Sequence, residues 1–217
     1  MLYNFCLFDL DGTLTDPKPG ITKSFQFALA AFGIDEELEN LSKFIGPPLR
    51  EVFRKNYGIS PADMEKAVAK FREYFAETGL LENEVYPGIP EMLHALKSSG
   101  IMLAVATSKV KSYTQRILEH FGLDGYFDFV SGDDMDGSLT VSGKREIIRI
   151  ALDHIDPGRK MTPVMIGDRK HDVTGAWAVG IDCIGITWGY GARSELEGAG
   201  ATMIVDTVDA LRNKLLP

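Results

Sequence analysis

A chain of 217 residues suffices for one large domain, or one domain with a modest insertion, and its 45% apolar and 25% charged residues are ordinary for a folded protein. The formal charge of −8 argues against non-specific nucleic-acid binding, which needs a basic surface, and no apolar run is long enough to span a bilayer. Neither nucleic acid nor membrane is therefore an expected partner. The first residues lack the basic start, apolar centre and small-residue cleavage site of a secretory leader, so a cytoplasmic location is expected, with monomer and homodimer both open. Cys6 and Cys183 each sit in an apolar run and read as buried, inert thiols.

The run Phe5 to Phe8 is continuously apolar, as in a strand buried on both faces, and it ends in Asp9-Leu10-Asp11-Gly12-Thr13. Asp9 and Asp11 lie on either side of Leu10, so either the chain turns there and both acids face one site or only Asp9 belongs to it, and Gly12 and Thr13 favour the turn. Pro17, Pro19 and Gly20 break the pattern, after which Ile21, Phe25, Leu29 and Phe32 recur at helical spacing. Leu49, Val52, Phe53 and Tyr57 mark a second helix. A third is announced by Ser60 as cap and Pro61 in its first turn, with Met64, Ala67, Val68, Phe71 and Phe75 on one face. Residues 16 to about 84 thus read as wholly helical.

From Tyr86-Pro87-Gly88 onward, helices alternate with short apolar runs. Strands are expected at 101–106, ending in Thr107-Ser108, at 127–130, at 163–166, ending in Gly167-Asp168, at 181–186 and at 202–205. Helical stripes fill the intervals at 89–96, 113–121, 147–152 and 173–177, and Val208, Leu211 and Leu215 close the chain. This alternation predicts an α/β fold: a Rossmann-like, mostly parallel sheet with helices on both faces, formed by 1–15 and 85–217, with 16–84 inserted as an all-helical cap.

Ligands of such sheets bind beyond the carboxyl ends of the strands, where Asp9, Asp11, Thr107, Ser108 and Asp168 stand. Lys144, at a helix start after a polar loop, and Asp172, four residues past Asp168, complete the set. A carboxylate can attack phosphorus, a second can move a proton, a hydroxyl and an ammonium can hold phosphate oxygens, and further carboxylates can bind Mg²⁺. All donors near the acids are oxygens, apart from the unassigned His171, which favours magnesium over zinc. Simpler readings stand beside these. Ser108 can cap the following helix, Lys160 and Lys170 compete with Lys144, and Asp172 suits a helix first turn. Asp133, Asp134 and Asp136 lack calcium-loop spacing and read as a solvated turn, while His94, His120 and His154 read as packing or surface residues.

Taken in order, Asp9-Leu-Asp-Gly-Thr, Thr107-Ser108, Lys144 and Gly167-Asp168-Arg-Lys-His-Asp172 resemble the four signature segments of the haloacid dehalogenase superfamily of phosphatases. The resemblance implies that Asp9 is the nucleophile and Asp11 the acid/base. It further implies that Thr107, Ser108 and Lys144 hold phosphate, and that Asp9, the Asp11 carbonyl and Asp168 bind Mg²⁺ with support from Asp172. An acid at position 11 points to phosphomonoesters. The helical insertion resembles a cap that closes over such sites, hinged at Thr15–Pro19 and Glu82–Gly88. Within it, Gly46-Pro47-Pro48-Leu49-Arg50 resembles the specificity loop of the phosphoglycolate phosphatase-like group that includes 5'-nucleotidases, with Arg50 the candidate substrate contact and Lys18 and Lys23 its rivals. A small phosphorylated substrate is expected. A phosphosugar mutase of the same superfamily and a non-catalytic phosphate-sensing module are the alternatives. The latter fits poorly with an inserted cap and an Asp-x-Asp-Gly-Thr segment.

Overall fold

The computed structural model describes residues 3–135, 137–139 and 143–216. The chain divides into two compact units, Met1–Thr15 with Val85–Pro217, and Asp16–Glu84. In the first, β1 (Phe5–Phe8), β4 (Met102–Val110), β5 (Phe129–Asp133), β6 (Pro163–Gly167), β7 (Asp182–Ile186) and β8 (Met203–Val205) form one sheet in the order β5-β4-β1-β6-β7-β8. Every described pairing in it is parallel. All four β1 residues are buried, which explains the unbroken apolar run.

The strand order reverses at β1. Right-handed crossovers then send α5 (Ile89–Ser98) and α6 (Lys111–His120) to one face, and α7 (Arg145–Ile155), α8 (Lys170–Ala178) and α9 (Arg193–Ala199) to the other. The packing agrees, since α7 lies on α8, α8 on α9, and α10 (Val208–Leu215) on α5. Ile147, Ile148, Ala151 and Leu152 of α7 and Val173 and Ala176 of α8 cover Phe5, Leu7, Ala104 and Met165 of the sheet. Each fully buried Leu or Ile there contributes roughly 1.5–3 kcal/mol.

The second unit contains α1 (Lys18–Ala30), α2 (Leu38–Leu41), α3 (Leu49–Tyr57) and α4 (Met64–Tyr74), followed by a π-helical turn at Phe75–Gly79. Its core is aromatic. Phe25 meets Phe44, Phe53 and Phe71 with ring centroids 5.9, 5.5 and 4.9 Å away. Where the chain passes between the units, β2 (Thr15–Asp16) and β3 (Glu84–Val85) form a two-stranded sheet.

Several sequence expectations need correction. The regular structure of 16–84 is helical, with loops between the helices, except for these terminal strand residues, which are too short to carry an alternating pattern. Helix α4 begins at Met64, because Ser60 accepts a bond from the Asp63 N–H at 3.2 Å and closes a turn ahead of the helix. The strand expected at 127–130 lies at Phe129–Asp133, and α9 carried too weak an apolar stripe to be foreseen. Among the described residues, no helix is long and apolar enough to cross a membrane.

Candidate active site

Register aligns the ends of the three central strands. Phe8 lies opposite Val105 on β4 and Ile166 on β6, which sets Asp9, Thr107 and Asp168 at neighbouring strand ends where the sheet order reverses. Asp9 is still held in the sheet, its N–H donating to the Ile166 carbonyl at 2.9 Å. Immediately afterwards the chain turns. The N–H groups of Thr13, Leu14 and Thr15 all donate to the Leu10 carbonyl, and the Gly12 N–H donates to the Thr15 carbonyl at 2.8 Å. Leu10 and Leu14 are fully buried within the turn and anchor it in the core. Gly12 has φ +81°, and a Cβ there would collide with the Asp168 carboxylate, so the turn demands glycine twice over.

Asp9, Asp168 and Asp172 each bring a carboxylate oxygen into one group whose members lie within 4.8 Å of one another. Lys144, immediately before α7, sends its ammonium into this group. It pairs with Asp9 Oδ2 at 2.8 Å and also with Asp172 Oδ1. It is 4% exposed, whereas the rivals Lys160 and Lys170 are exposed. Asp172 also fills its helix-acid role, as its Oδ2 accepts the Arg169 N–H at the start of α8 at 3.0 Å. Burial, with help from Asp172 and Asp9, pushes Asp168 up to about 8. Burial likewise lifts Asp172 to about 6, against the pull of Lys144. For Lys144 burial opposes the charge, yet Asp172 and Asp9 outweigh it and the pKa is raised.

This donor set fits a hard cation. It consists of oxygens only, and Asp168 Oδ1 is buried with no hydrogen-bond partner, a costly arrangement that an ion at that point would relieve. Asp168 Oδ2 is already committed to the Tyr190 N–H at 2.7 Å. Thr107 is buried, and its Oγ1 accepts the Lys109 N–H at 3.2 Å, leaving the hydroxyl proton to donate elsewhere. Ser108 is exposed and does not cap α6, whose N-cap is Val110, because β4 continues past it to that residue.

Asp11 lies beside the trio rather than in it. Its Oδ2 pairs with Lys109 Nζ at 2.7 Å, while its Oδ1 is buried without a partner. Burial raises its pKa, opposed by Lys109. The sequence reading missed Lys109, and it also missed the segment after β7. There the Trp188 indole donates to the Thr13 carbonyl at 3.1 Å, and Glu195 accepts from Arg169 Nε and the Lys170 N–H, both at 2.9 Å. Those bonds tie the acidic turn and the Asp168 loop to one segment, and nothing in the spacing of aromatic and glycine residues signals them.

Arg50 belongs to the helical unit, half exposed on α3, with its guanidinium forked onto Glu65 at 2.5 and 3.0 Å. Its rivals are also engaged, Lys18 with Glu39 at 3.1 Å and Lys23 with Glu82 at 2.5 Å. The solvated-turn reading fails for Asp133, which is buried at the end of β5 and accepts the N–H groups of Asp134 and Leu139. Asp134 is exposed, and Asp136 lies outside the described residues. His154 stacks on Phe129 at 4.0 Å, in keeping with a packing role. Both cysteines are buried, and burial pushes the Cys6 thiol up to about 12.

Comparison with known proteins agrees with this geometry. The family model for haloacid dehalogenase-like hydrolases matches residues 6–186. A 5'-nucleotidase of Pseudomonas aeruginosa is 46% identical over 214 residues, covering 98% of this chain and 96% of that protein. The tyrosine-protein kinase PtkA of Mycobacterium tuberculosis is 37% identical over 212 residues, covering 96% of this chain and 71% of its own length. Among solved structures, a predicted phosphatase from Clostridium acetobutylicum superposes with a TM-score of 0.92 at 44% identity, covering 99% of each chain.

Proposed function

The chain belongs to the haloacid dehalogenase-like hydrolase family, and we propose that it is a Mg²⁺-dependent phosphomonoesterase working through an aspartyl phosphate on Asp9. The observation that carries this reading is the buried trio Asp9, Asp168 and Asp172 with Lys144 set among its oxygens. Asp9, Asp168 and the Asp11 carbonyl would hold the ion, with Asp172 supporting it. Bound there, Mg²⁺ would supply neutralisation of the phosphate charge.

The chain's own groups divide the remaining work. A carboxylate oxygen of Asp9 attacks phosphorus while Asp11 delivers a proton to the departing ester oxygen. In the second half Asp11 takes a proton from water as the acyl phosphate is hydrolysed. Thr107 donates its hydroxyl to a phosphate oxygen, Ser108 lies beside it on the same strand end, and Lys144 balances negative charge as it builds.

For the substrate we favour a nucleoside 5'-monophosphate, on the strength of the 46% identical relative, and keep phosphoglycolate as the alternative because of the Gly46-Pro47-Pro48-Leu49-Arg50 segment. Arg50 remains the candidate specificity residue, and a substrate anion would have to draw it from Glu65. The test is phosphate release from a panel of nucleoside monophosphates, phosphoglycolate and sugar phosphates, with and without Mg²⁺. Wild-type turnover that requires Mg²⁺ and vanishes in Asp9→Asn supports the proposal, and equal activity in Asp9→Asn overturns it. Adding a tyrosine peptide and ATP to the panel separates hydrolysis from the transfer named for PtkA.

A further inference from the structure

Lys109 is the one basic side chain, among the described residues, that contacts Asp11 in an ion pair, and no sequence signal assigned it a task. Its placement has a structural cause. The β4 and β5 ladder runs Ala104, Val105 and Ala106 against Phe129, Val130 and Ser131, then slips, so that Val110 pairs with Asp133. The residues 107–109 in that slip are a bulge, the usual device for re-aiming a side chain at the end of a strand. Gly132 makes room for it, since a Cβ on Gly132 would stand 2.8 Å from the Lys109 carbonyl oxygen. Within the bulge the Lys109 N–H donates to the Thr107 hydroxyl oxygen two residues earlier. The lysine side chain is 7% exposed, so its charge is withdrawn from water, and it pairs with Asp11 Oδ2 at 2.7 Å.

That carboxylate is used unequally. Lys109 occupies Asp11 Oδ2, while Oδ1 is buried and without a partner. Lys144, by contrast, is spent on Asp9 and Asp172. Two buried ammonium groups thus serve three acids, with none shared between them, and the Asp11 carboxyl is held at Oδ2 while its Oδ1 lies buried with no hydrogen-bond partner.

We propose that Lys109 is a positioning residue for proton transfer: by holding Asp11 Oδ2 it fixes Oδ1 as the oxygen that carries the proton to the leaving group. This deepens the proposed function and rests on it. In the step concerned, the bond from Asp9 to phosphorus forms as the ester P–O bond breaks. The Oδ1 proton passes to the ester oxygen, and Asp11 is left as a carboxylate paired with Lys109. In the hydrolytic half the proton of the attacking water returns to Oδ1.

Leaving groups read this directly. An aryl phosphate such as p-nitrophenyl phosphate departs as a stable phenolate that needs little protonation, whereas a nucleoside 5'-monophosphate departs as an alkoxide that needs it. Values of kcat/KM on both esters report the step in which the leaving group departs. Lys109→Met is expected to lower kcat/KM on the alkyl ester at least ~10-fold more than on the aryl ester, within the ~10²–10⁴-fold range of acid/base catalysis. Lys109→Arg, which keeps a cation near Oδ2, is expected to recover part of the difference. An equal fall on both esters, as a phosphate-binding or purely structural lysine would give, overturns the inference, as does no fall on either. Should Lys109→Met not fold, Lys109→Gln, which keeps a donor without the charge, gives the same ratio. Asp9→Asn run in parallel separates the two levels. If it kills turnover of both esters while Lys109 variants show no selectivity, only the Lys109 inference fails; if it leaves turnover intact, the phosphatase reading fails and the inference falls with it.

Discussion

The candidate site residues of the two units are paired in opposite ways. In the sheet unit the ion pairs of Lys144 with Asp9 and Asp172, and of Lys109 with Asp11, lie out of water, on side chains no more than 15% exposed. In the helical unit Arg50 with Glu65, Lys18 with Glu39 and Lys55 with Glu51 lie at the surface, with side chains 40–83% exposed. Removing one partner of a buried pair strands a charge and costs about 3–5 kcal/mol, while an exposed pair is worth about 1 kcal/mol at most. An arrangement that costly to misassemble, with two carboxylate oxygens left unpartnered, is what the proposed cation and phosphate site requires. The exposed pairs of the helical unit can be exchanged for other partners at little cost, which is what the role proposed for Arg50 needs.

Breaking the buried side should give the largest effect. Lys144→Met is expected to lower kcat about 10³-fold and to cost several kcal/mol of stability, since Asp9 and Asp172 lose their shared counter-ion. Denaturant melts and steady-state kinetics check both, and a variant as active as wild type would remove Lys144 from the site.

The same comparison has a pH signature. Asp168 and Asp172 are raised in the fold to about 8 and about 6, so they favour the protonated folded protein. Their contribution is fully present below the unfolded value near ~4 and is lost as pH rises toward 8. Mg²⁺ selects the ionised carboxylates, so the rise in melting temperature on adding it should be much larger at about pH 8.5 than at about pH 5. A rise independent of pH would place the ion elsewhere.

Smaller effects sharpen the picture. Trp188→Phe removes the bond to the Thr13 carbonyl, worth ~1 kcal/mol, and should weaken Mg²⁺ binding several-fold by calorimetry through the loosened acidic turn. Unchanged affinity would make Trp188 a packing residue only. Arg50→Ala should leave the melting temperature nearly unmoved and reorder the substrate panel, and an unaltered ranking would remove it from specificity.

Legibility in the sequence follows the same division. The strands were readable because both of their faces are buried, so Phe5 to Phe8 and Val164 to Ile166 form apolar runs with nothing to confuse them. Asp9, Asp11 and Asp168 stood out because a carboxylate after such a run has few structural reasons to be there, Asp172 because it lies four residues past Asp168, and Lys144 because it opens a helix after a polar loop; the fold brings Asp9, Asp168, Asp172 and Lys144 together. Lys109 was hidden, since its direction depends on a register slip that no spacing encodes. Trp188 and Tyr190 were hidden because one acts through an indole proton and the other through a backbone N–H. Ser60 misled because the same Ser-Pro signal that opens helices also closes turns.

The central claim is that the Asp9 carboxylate itself accepts the phosphoryl group, and trapping that intermediate tests it most directly. A nucleoside 5'-monophosphate mixed with excess enzyme and Mg²⁺, quenched in acid at early times and digested for mass spectrometry, should leave one phosphoryl group on the peptide containing Asp9, and none in Asp9→Asn. Phosphate release at the wild-type rate with the peptide unmodified at every quench time, and persisting in Asp9→Asn, would contradict the account.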